Sequence, residues 1–360
     1  MRVVALRWAF RLVYGLPPRA RRLLAGPEIH LDGQVLDLDL QLLGRMGALL
    51  ESSDGGTLDQ SVLAEQRRQA DFAAEVAAEP GLADMATREV TLAGAGGPLA
   101  ARLYVPASAP RSRGLLVYFH GGGFVVGSIA ASDPLCRLVA AQSGVRVLSV
   151  EYRLAPEFPY PAALEDAIAS FADVRARAPE FGADPELVAV GGDSAGANLA
   201  LVVGHQASAR PAFVLAMYPV TDAERSGGSR ELFGTGFGLT AEYLEELERL
   251  YLPDGVPVDD TRGAILRSDD LSGMPPVYLS TAGFDPLRDE GEELAAKLRV
   301  HGVPIVARRF PGLVHGYASF TAVSAAARDA TLDAASALRA GLSLVESRLR
   351  RVRGVDAAAS

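Results

Sequence analysis

The sequence predicts an α/β protein built on a mainly parallel central sheet with helices on both faces. Three observations predict it. From about residue 98 onward, short apolar runs alternate with segments of helical periodicity, the rhythm of parallel strands joined by crossover helices. The 360 residues are 49% hydrophobic against 22% charged, which excludes disorder, and a chain of this size buries about three-quarters of its unfolded surface. Its single cysteine, Cys136, excludes an internal disulfide and any cysteine-rich zinc or redox motif, and it points to a reducing compartment, the cytoplasm.

Residues 1–85 hold no strand series, and their Leu, Ala and Arg content with spaced acids reads as a helical accessory segment. Strand runs follow at 99–105, 115–119, 145–150, 187–190, 213–218, 277–280 and 304–308, with helical patterns near 133–143, 161–177, 196–208, 289–300 and 322–347. Residues 222–262 break this rhythm: SGGS and GTGFG precede the helical AEYLEELERLY, then PDGVP, so the stretch reads as an insertion. The catalytic α/β unit is therefore expected over 86–221 and 263–350, with 351–360 a frayed, Ala-rich, flexible tail.

The balance of 35 basic against 44 acidic residues gives a net charge of −9, which argues against a nucleic-acid partner, because neutralising phosphates needs a cationic face. The charge is uneven. Arg2, Arg7, Arg11, Arg19, Arg21 and Arg22 precede the first acid, Glu28, and Arg348, Arg350, Arg351 and Arg353 cluster near the other end. Arg7 and Arg11 interrupt what would be a secretory apolar region, and no run of 18 uncharged apolar residues predicts a membrane span. Two readings of residues 1–25 stand: a helix packed on the protein's own body with its arginines outward, or a basic amphipathic helix in peripheral contact with anionic lipid.

The strongest chemical signal is GGDSAG at 191–196, which contains G-x-S-x-G between the strand run LVAV and the helical ANLALVV. A serine on a tight strand-to-helix turn projects its oxygen outward, and glycines on either side permit the close backbone approach. The following helix offers free N–H groups and a dipole near Ser194, where acyl transfer develops negative charge. A second signal, HGGGF at 120–124, ends the strand run LLVYF and presents bare backbone N–H groups suited to an oxyanion.

A hydroxyl is a weak nucleophile until a base takes its proton, and the chain has five histidines. His30 lies in the accessory segment, His120 opens the glycine loop, His205 sits far down the helix after Ser194, and His301 reads as a helix C-terminus. His315 remains, in the loop FPGLVHGY after the last strand run. The acid should fix the imidazole tautomer and arrive between Ser and His. Asp285, in STAGFDPLRDEG directly after VYLS, suits; its competitors Asp289 and Glu290 read as charges at a helix N-terminus.

These motifs, with EYRLAPEFPYPAALEDA at 151–167 and GFDPLRDEG at 283–291, make the chain resemble the hormone-sensitive-lipase branch of the α/β-hydrolases over about 98–345. The resemblance implies the α/β-hydrolase fold and a serine carboxylesterase acting on short- to medium-chain acyl esters. In it Ser194 is the nucleophile, Asp285 and His315 complete the triad, and the N–H groups of Gly122, Gly123 and Ala195 form the oxyanion hole. It also implies a helical cap, matching 1–85 and 222–262, and a homodimer through an edge strand or helix. Glu151 departs from the family, which usually shows Asp there, and Ala197 stands where a third glycine is common. Alternatives are a membrane-surface lipase and a non-catalytic ligand-binding relative, although such receptors typically lose the triad histidine, which is retained here. GTGFGL at 234–239 reads as a loop rather than a nucleotide site, Asp269 and Asp270 read as a solvated turn, and no cofactor or metal is expected.

Overall fold

A computed structural model describes residues 2–50, 60–108, 112–223, 225–252, 260 and 263–358. The N-terminal part comprises α1 (Arg2–Tyr14), α2 (Pro18–Ala25), a hairpin of β1 (His30–Leu31) and β2 (Gln34–Val35), α3 (Leu38–Leu50) and α4 (Gln60–Ala77). The main sheet then begins with β3 (Ala86–Gly94), β4 (Gly97–Val105) and β5 (Leu115–Phe119), and continues through α5 (Ile129–Ser143), β6 (Arg146–Val150), α6 (Ala162–Ala176), β7 (Val188–Asp193), α7 (Ala195–Gln206) and β8 (Val214–Met217). Short α8 (Ser229–Leu232) and amphipathic α9 (Ala241–Tyr251) intervene before β9 (Val277–Phe284), α10 (Arg288–Val300), β10 (Ile305–Val314) and α11 (Ala325–Ala358). PDGVP at 253–257 lies outside the described residues.

The eight strands run in the order β10-β9-β8-β7-β5-β6-β4-β3, parallel from β6 to β10 and antiparallel where β4 joins β6 and β3. Side chains alternate across the sheet with period two, so Leu115, Val117 and Phe119 enter one core with α6, α7 and α10, while Leu116 and Tyr118 enter a second with α5 and α11. Both faces being covered, β5 and β9 are buried along their whole length, which is why they read as continuous apolar runs. Helix α5 shows how locally these boundaries are set. Ser128 Oγ accepts the Ala131 N–H at 2.9 Å to start it, and Gly144 at φ 69° donates back to Ala140 O to end it.

The site's position follows from the strand order. After β5 the chain moves outward to β6, then returns through α6 to place β7 on the other side of β5, so the order reverses between these two strands. A crevice opens at the carboxyl ends of strands on either side of such a reversal. Here those ends carry the HGGGF loop and the GDSAG turn, with Phe119 in register with Gly192.

Four expectations need correction. Strand β3 has no apolar run because it is an edge strand exposed over much of its length, so the sheet starts a strand earlier than the sequence suggests. The accessory segment holds the β1–β2 hairpin, turned by Asp32 and Gly33 at φ 54° and 70°; Asp-Gly is the residue pair such two-residue turns favour. The tail does not fray at 351, because extending a formed helix costs far less than starting one, and α11 passes Gly354 to reach Ala358. Helix α1 packs on α4, but not with all its arginines outward. Arg7 turns inward to the Glu75 and Val76 carbonyls, which the end of α4 leaves without helical donors.

Candidate active site

The turn between β7 and α7 is held tight by its glycines. A Cβ on Gly196 would lie 1.9 Å from Phe119 O, and one on Gly192 would lie 2.4 Å from the same oxygen, so no larger residue fits beside β5. Ser194 between them sits at φ 53°, a left-handed conformation costly for a serine, anchored by its N–H donating to Met217 O at 2.9 Å.

Asp285 and His315 come from the ends of neighbouring strands, β9 and β10, where Phe284 stands in register with Val314. Asp285 Oδ2 lies 2.8 Å from His315 Nδ1, and His315 Nε2 lies 2.9 Å from Ser194 Oγ. The other Asp285 oxygen accepts the Leu287 N–H at 2.8 Å. A carboxylate can only accept, so the proton resides on Nδ1 and Nε2 is left to accept from the serine hydroxyl. The Asp285 side chain is 1% exposed and that of His315 11%, so the acid is shielded while the imidazole edge faces the cavity. The Tyr218 ring meets the imidazole edge-on, with centroids 5.1 Å apart, and fixes its plane.

The glycine loop is fastened from beneath. Asp193 Oδ1 accepts both the Tyr118 hydroxyl at 2.5 Å and the Gly121 N–H at 2.9 Å, and burial pushes this carboxyl upward from the usual range. Gly122 adopts φ 117°, where a Cβ would strike Val126 O. Among the described residues, the backbone N–H groups of Gly122, Gly123 and Ala195 donate to no protein acceptor. They border the same cavity as Ser194 Oγ, whose volume is about 1150 Å³. Its walls include Leu247 of α9, Phe72 and Val76 of α4, and Phe10 of α1. A mostly apolar chamber with a few polar groups at one point suits a lipophilic substrate whose reacting group is held at Ser194.

Of the other four histidines, His120 borders the same cavity and the remaining three lie away from it. His120 is buried, stacks on Tyr152 with centroids 4.3 Å apart, and is pushed toward its neutral form by burial. His205 Nε2 meets Asp270 O, His301 lies 3.5 Å from Asp270, and His30 is exposed beside Glu28. Asp270 closes a local turn through the Ser272 N–H, and residues 234–239 form a loop. No group of three or more potential metal ligands occurs among the described residues, nor does any helix long and apolar enough to cross a membrane.

The sequence matches the α/β-hydrolase fold family over residues 116–319. It is 38% identical to a protein named carboxylic ester hydrolase LipN of Mycobacterium tuberculosis, over 92% of this chain and 90% of that protein. The chain belongs to the hormone-sensitive-lipase family of α/β-hydrolases. It is a carboxylic ester hydrolase. A thermophilic and thermostable carboxylesterase from a metagenomic library, EstE1, is similar at 38% identity and TM-score 0.71, covering 78% of this chain and 97% of its own. An ester hydrolase from the metagenome of Lake Arreo, solved with a bipyridine phosphonate derivative, reaches TM-score 0.78 at 35% identity, over 85% of this chain and 98% of its own.

Several residues that brace this esterase carry no motif. Arg67 of α4 donates to Val125 O and Ala155 O, both at 2.9 Å, and pairs with Glu157, tying α4 to the strand-end loops. The β1–β2 hairpin grips the other half of the site: Gln34 donates to Gly283 O, Asp32 pairs with Arg288, and the Asp37 N–H donates to Gly312 O. Gly283 stands two residues before Asp285 and Arg288 three after it, and Gly312 stands three before His315. The Asp32-Gly33 dipeptide was the available signal. Glu290 differs from a surface charge at a helix start: it is wholly buried, accepts the Thr221 N–H at 2.7 Å, and pairs with Arg230, which also binds Glu248 of α9. Asp289 accepts the Ser229 N–H, so both competitors of Asp285 fasten the 222–262 insertion to the first turn of α10. Glu151, the departure from the family pattern, accepts the Ile129 N–H at the start of α5.

Proposed function

We propose that this esterase is a serine carboxylesterase working through an acyl-enzyme. Ser194 is the nucleophile, His315 the general base and acid, and Asp285 the group that orients and stabilises the imidazolium. The observation that carries this reading is the unbroken hydrogen-bond chain from Ser194 Oγ through His315 to Asp285. Ser194 Oγ attacks the ester carbonyl while His315 Nε2 takes its proton, and the carbonyl oxygen becomes an oxyanion held by the N–H groups of Gly122, Gly123 and Ala195. His315 then gives that proton to the departing alkoxide as the C–O bond breaks. Water, deprotonated by His315, attacks the acyl-enzyme and releases the acid. Each oxyanion donor contributes roughly 10²–10³ in rate.

Residues 1–85 and 222–262 act as a cap over the reacting groups, since both segments contribute walls to the cavity. Substrates are short- to medium-chain acyl esters, the class the resemblance implies. We place the enzyme in the cytoplasm, in keeping with the free, buried Cys136. A homodimer through an edge strand or helix would sediment at twice the chain mass. A non-catalytic ligand-binding role is disfavoured because His315 is kept within reach of both partners.

Hydrolysis of p-nitrophenyl esters tests the reading. Ser194→Ala should lower kcat by roughly 10⁴-fold or more at unchanged folding. Undiminished turnover removes Ser194 from the mechanism. A chain-length series on the wild type checks the substrate class.

A further inference from the structure

We infer that the N-terminal helices α1 and α2 dock this esterase on an anionic lipid surface, α1 also forming part of the wall of its cavity. The outer side of this region is unusually apolar for a protein surface. Trp8 is 60% exposed, Leu12 69% and Leu23 85%, with Leu6, Leu16 and Leu24 also exposed. Trp8 and Leu12 lie one turn apart on α1, and Arg11 extends its guanidinium over the Trp8 ring at 6.0 Å. Arg11 and Arg19 are exposed among these side chains, and no acid occurs before Glu28. Apolar burial and cationic attraction add at an anionic bilayer.

Charge selects the occupant. A second copy of this chain, meeting the patch about a two-fold axis, would set arginine against arginine, whereas anionic headgroups complement it. The location adds a consequence. Leu6 and Phe10 of the same helix line the cavity, so one element forms both the outer apolar face and the inner wall. A lipophilic ester dissolved in the bilayer would then pass along α1 toward Ser194. The docking itself does not depend on the triad.

Trp8 is the only tryptophan in the chain, so its fluorescence reads the patch alone. With vesicles of phosphatidylglycerol and phosphatidylcholine, the emission should shift to the blue and the full chain should sediment with the lipid. Phosphatidylcholine alone should produce neither, and added salt should reverse both. Arg11→Gln with Arg19→Gln should weaken binding about 25-fold, at about fivefold per arginine. Leu12→Glu should abolish co-sedimentation and slow hydrolysis of a vesicle-borne ester, while leaving a soluble p-nitrophenyl ester unaffected. Ser194→Ala should bind vesicles like the wild type, which separates this inference from the catalytic reading. It is overturned by an unshifted spectrum with anionic vesicles, by equal binding to phosphatidylcholine alone, or by a lipid-free blue shift that tracks dimer formation.

Discussion

Asp285→Asn separates the charge and proton placement of the acid from its shape. In the wild type one oxygen accepts from Leu287 N–H and the other from His315 Nδ1, each at 2.8 Å. Asparagine has a single acceptor oxygen. If that oxygen keeps the Leu287 bond, the amide NH₂ faces His315 Nδ1, the ring proton moves to Nε2, and Ser194 loses its proton acceptor. If the amide flips to restore the tautomer, its NH₂ confronts the buried Leu287 N–H, at a cost of about 1–3 kcal/mol for unmet donors. Only a small fraction of molecules then holds the productive tautomer, and those lack the negative charge that stabilises the imidazolium. The combined loss should be about 10⁴ in kcat, or about 5.5 kcal/mol of barrier. The assay is kcat on a soluble p-nitrophenyl ester, with a thermal melt to show that the fold survives. A well-folded variant losing less than about tenfold would refute the assignment of Asp285, because a neutral amide would then serve as well as the carboxylate.

Three further changes probe the scaffold. Gly196→Ala places a Cβ within 1.9 Å of Phe119 O, and because that neighbour is backbone, the elbow and glycine loop must separate. Esterase activity should fall by about 10²-fold, with about 1–3 kcal/mol lost in chemical denaturation. Arg67→Ala removes two bonds to strand-end carbonyls and the pair with Glu157, so it should cost about 2–3 kcal/mol and raise KM as α4 loosens over the cavity. Burial pushes Glu290 up to about 7, above its unfolded value of 4.5. Its contribution is thus fully present below pH 4.5 and is lost as pH rises through about 7. Glu290→Gln should therefore gain melting temperature relative to wild type across that interval; a constant difference would show that Glu290 does not titrate there.

The parts of the site written as short local patterns could be read from sequence, and those made by distant chain segments could not. GDSAG and HGGGF announce themselves because close backbone approach demands glycine at fixed spacing. Asp285 follows the wholly buried strand β9, whereas His315 is what remains once the other four histidines are set aside, because the strand before it is largely exposed or only partly buried. Arg67, Tyr218 and Gln34 act through contacts whose partners lie elsewhere in the chain, so no spacing rule marks them. Glu290 read as an ordinary acid at a helix start because its partner, Arg230, sits in an insertion whose docking only the fold reveals. Strand β3 was hidden by its exposure, and the orientation of α1 by carbonyls at the end of α4 that no hydropathy pattern displays. The strand rhythm from β5 to β9 was legible because those strands are buried on both faces, and burial is what hydrophobic periodicity records.

Covalent labelling puts the nucleophile to the most direct test. Incubated with a fluorophosphonate and mapped by peptide mass spectrometry, the wild-type chain should carry one phosphonyl group, on the peptide containing Ser194. Ser194→Ala should carry none, and His315→Ala should react far more slowly. A label on a different side chain, or undiminished labelling of Ser194→Ala, would contradict the proposed mechanism.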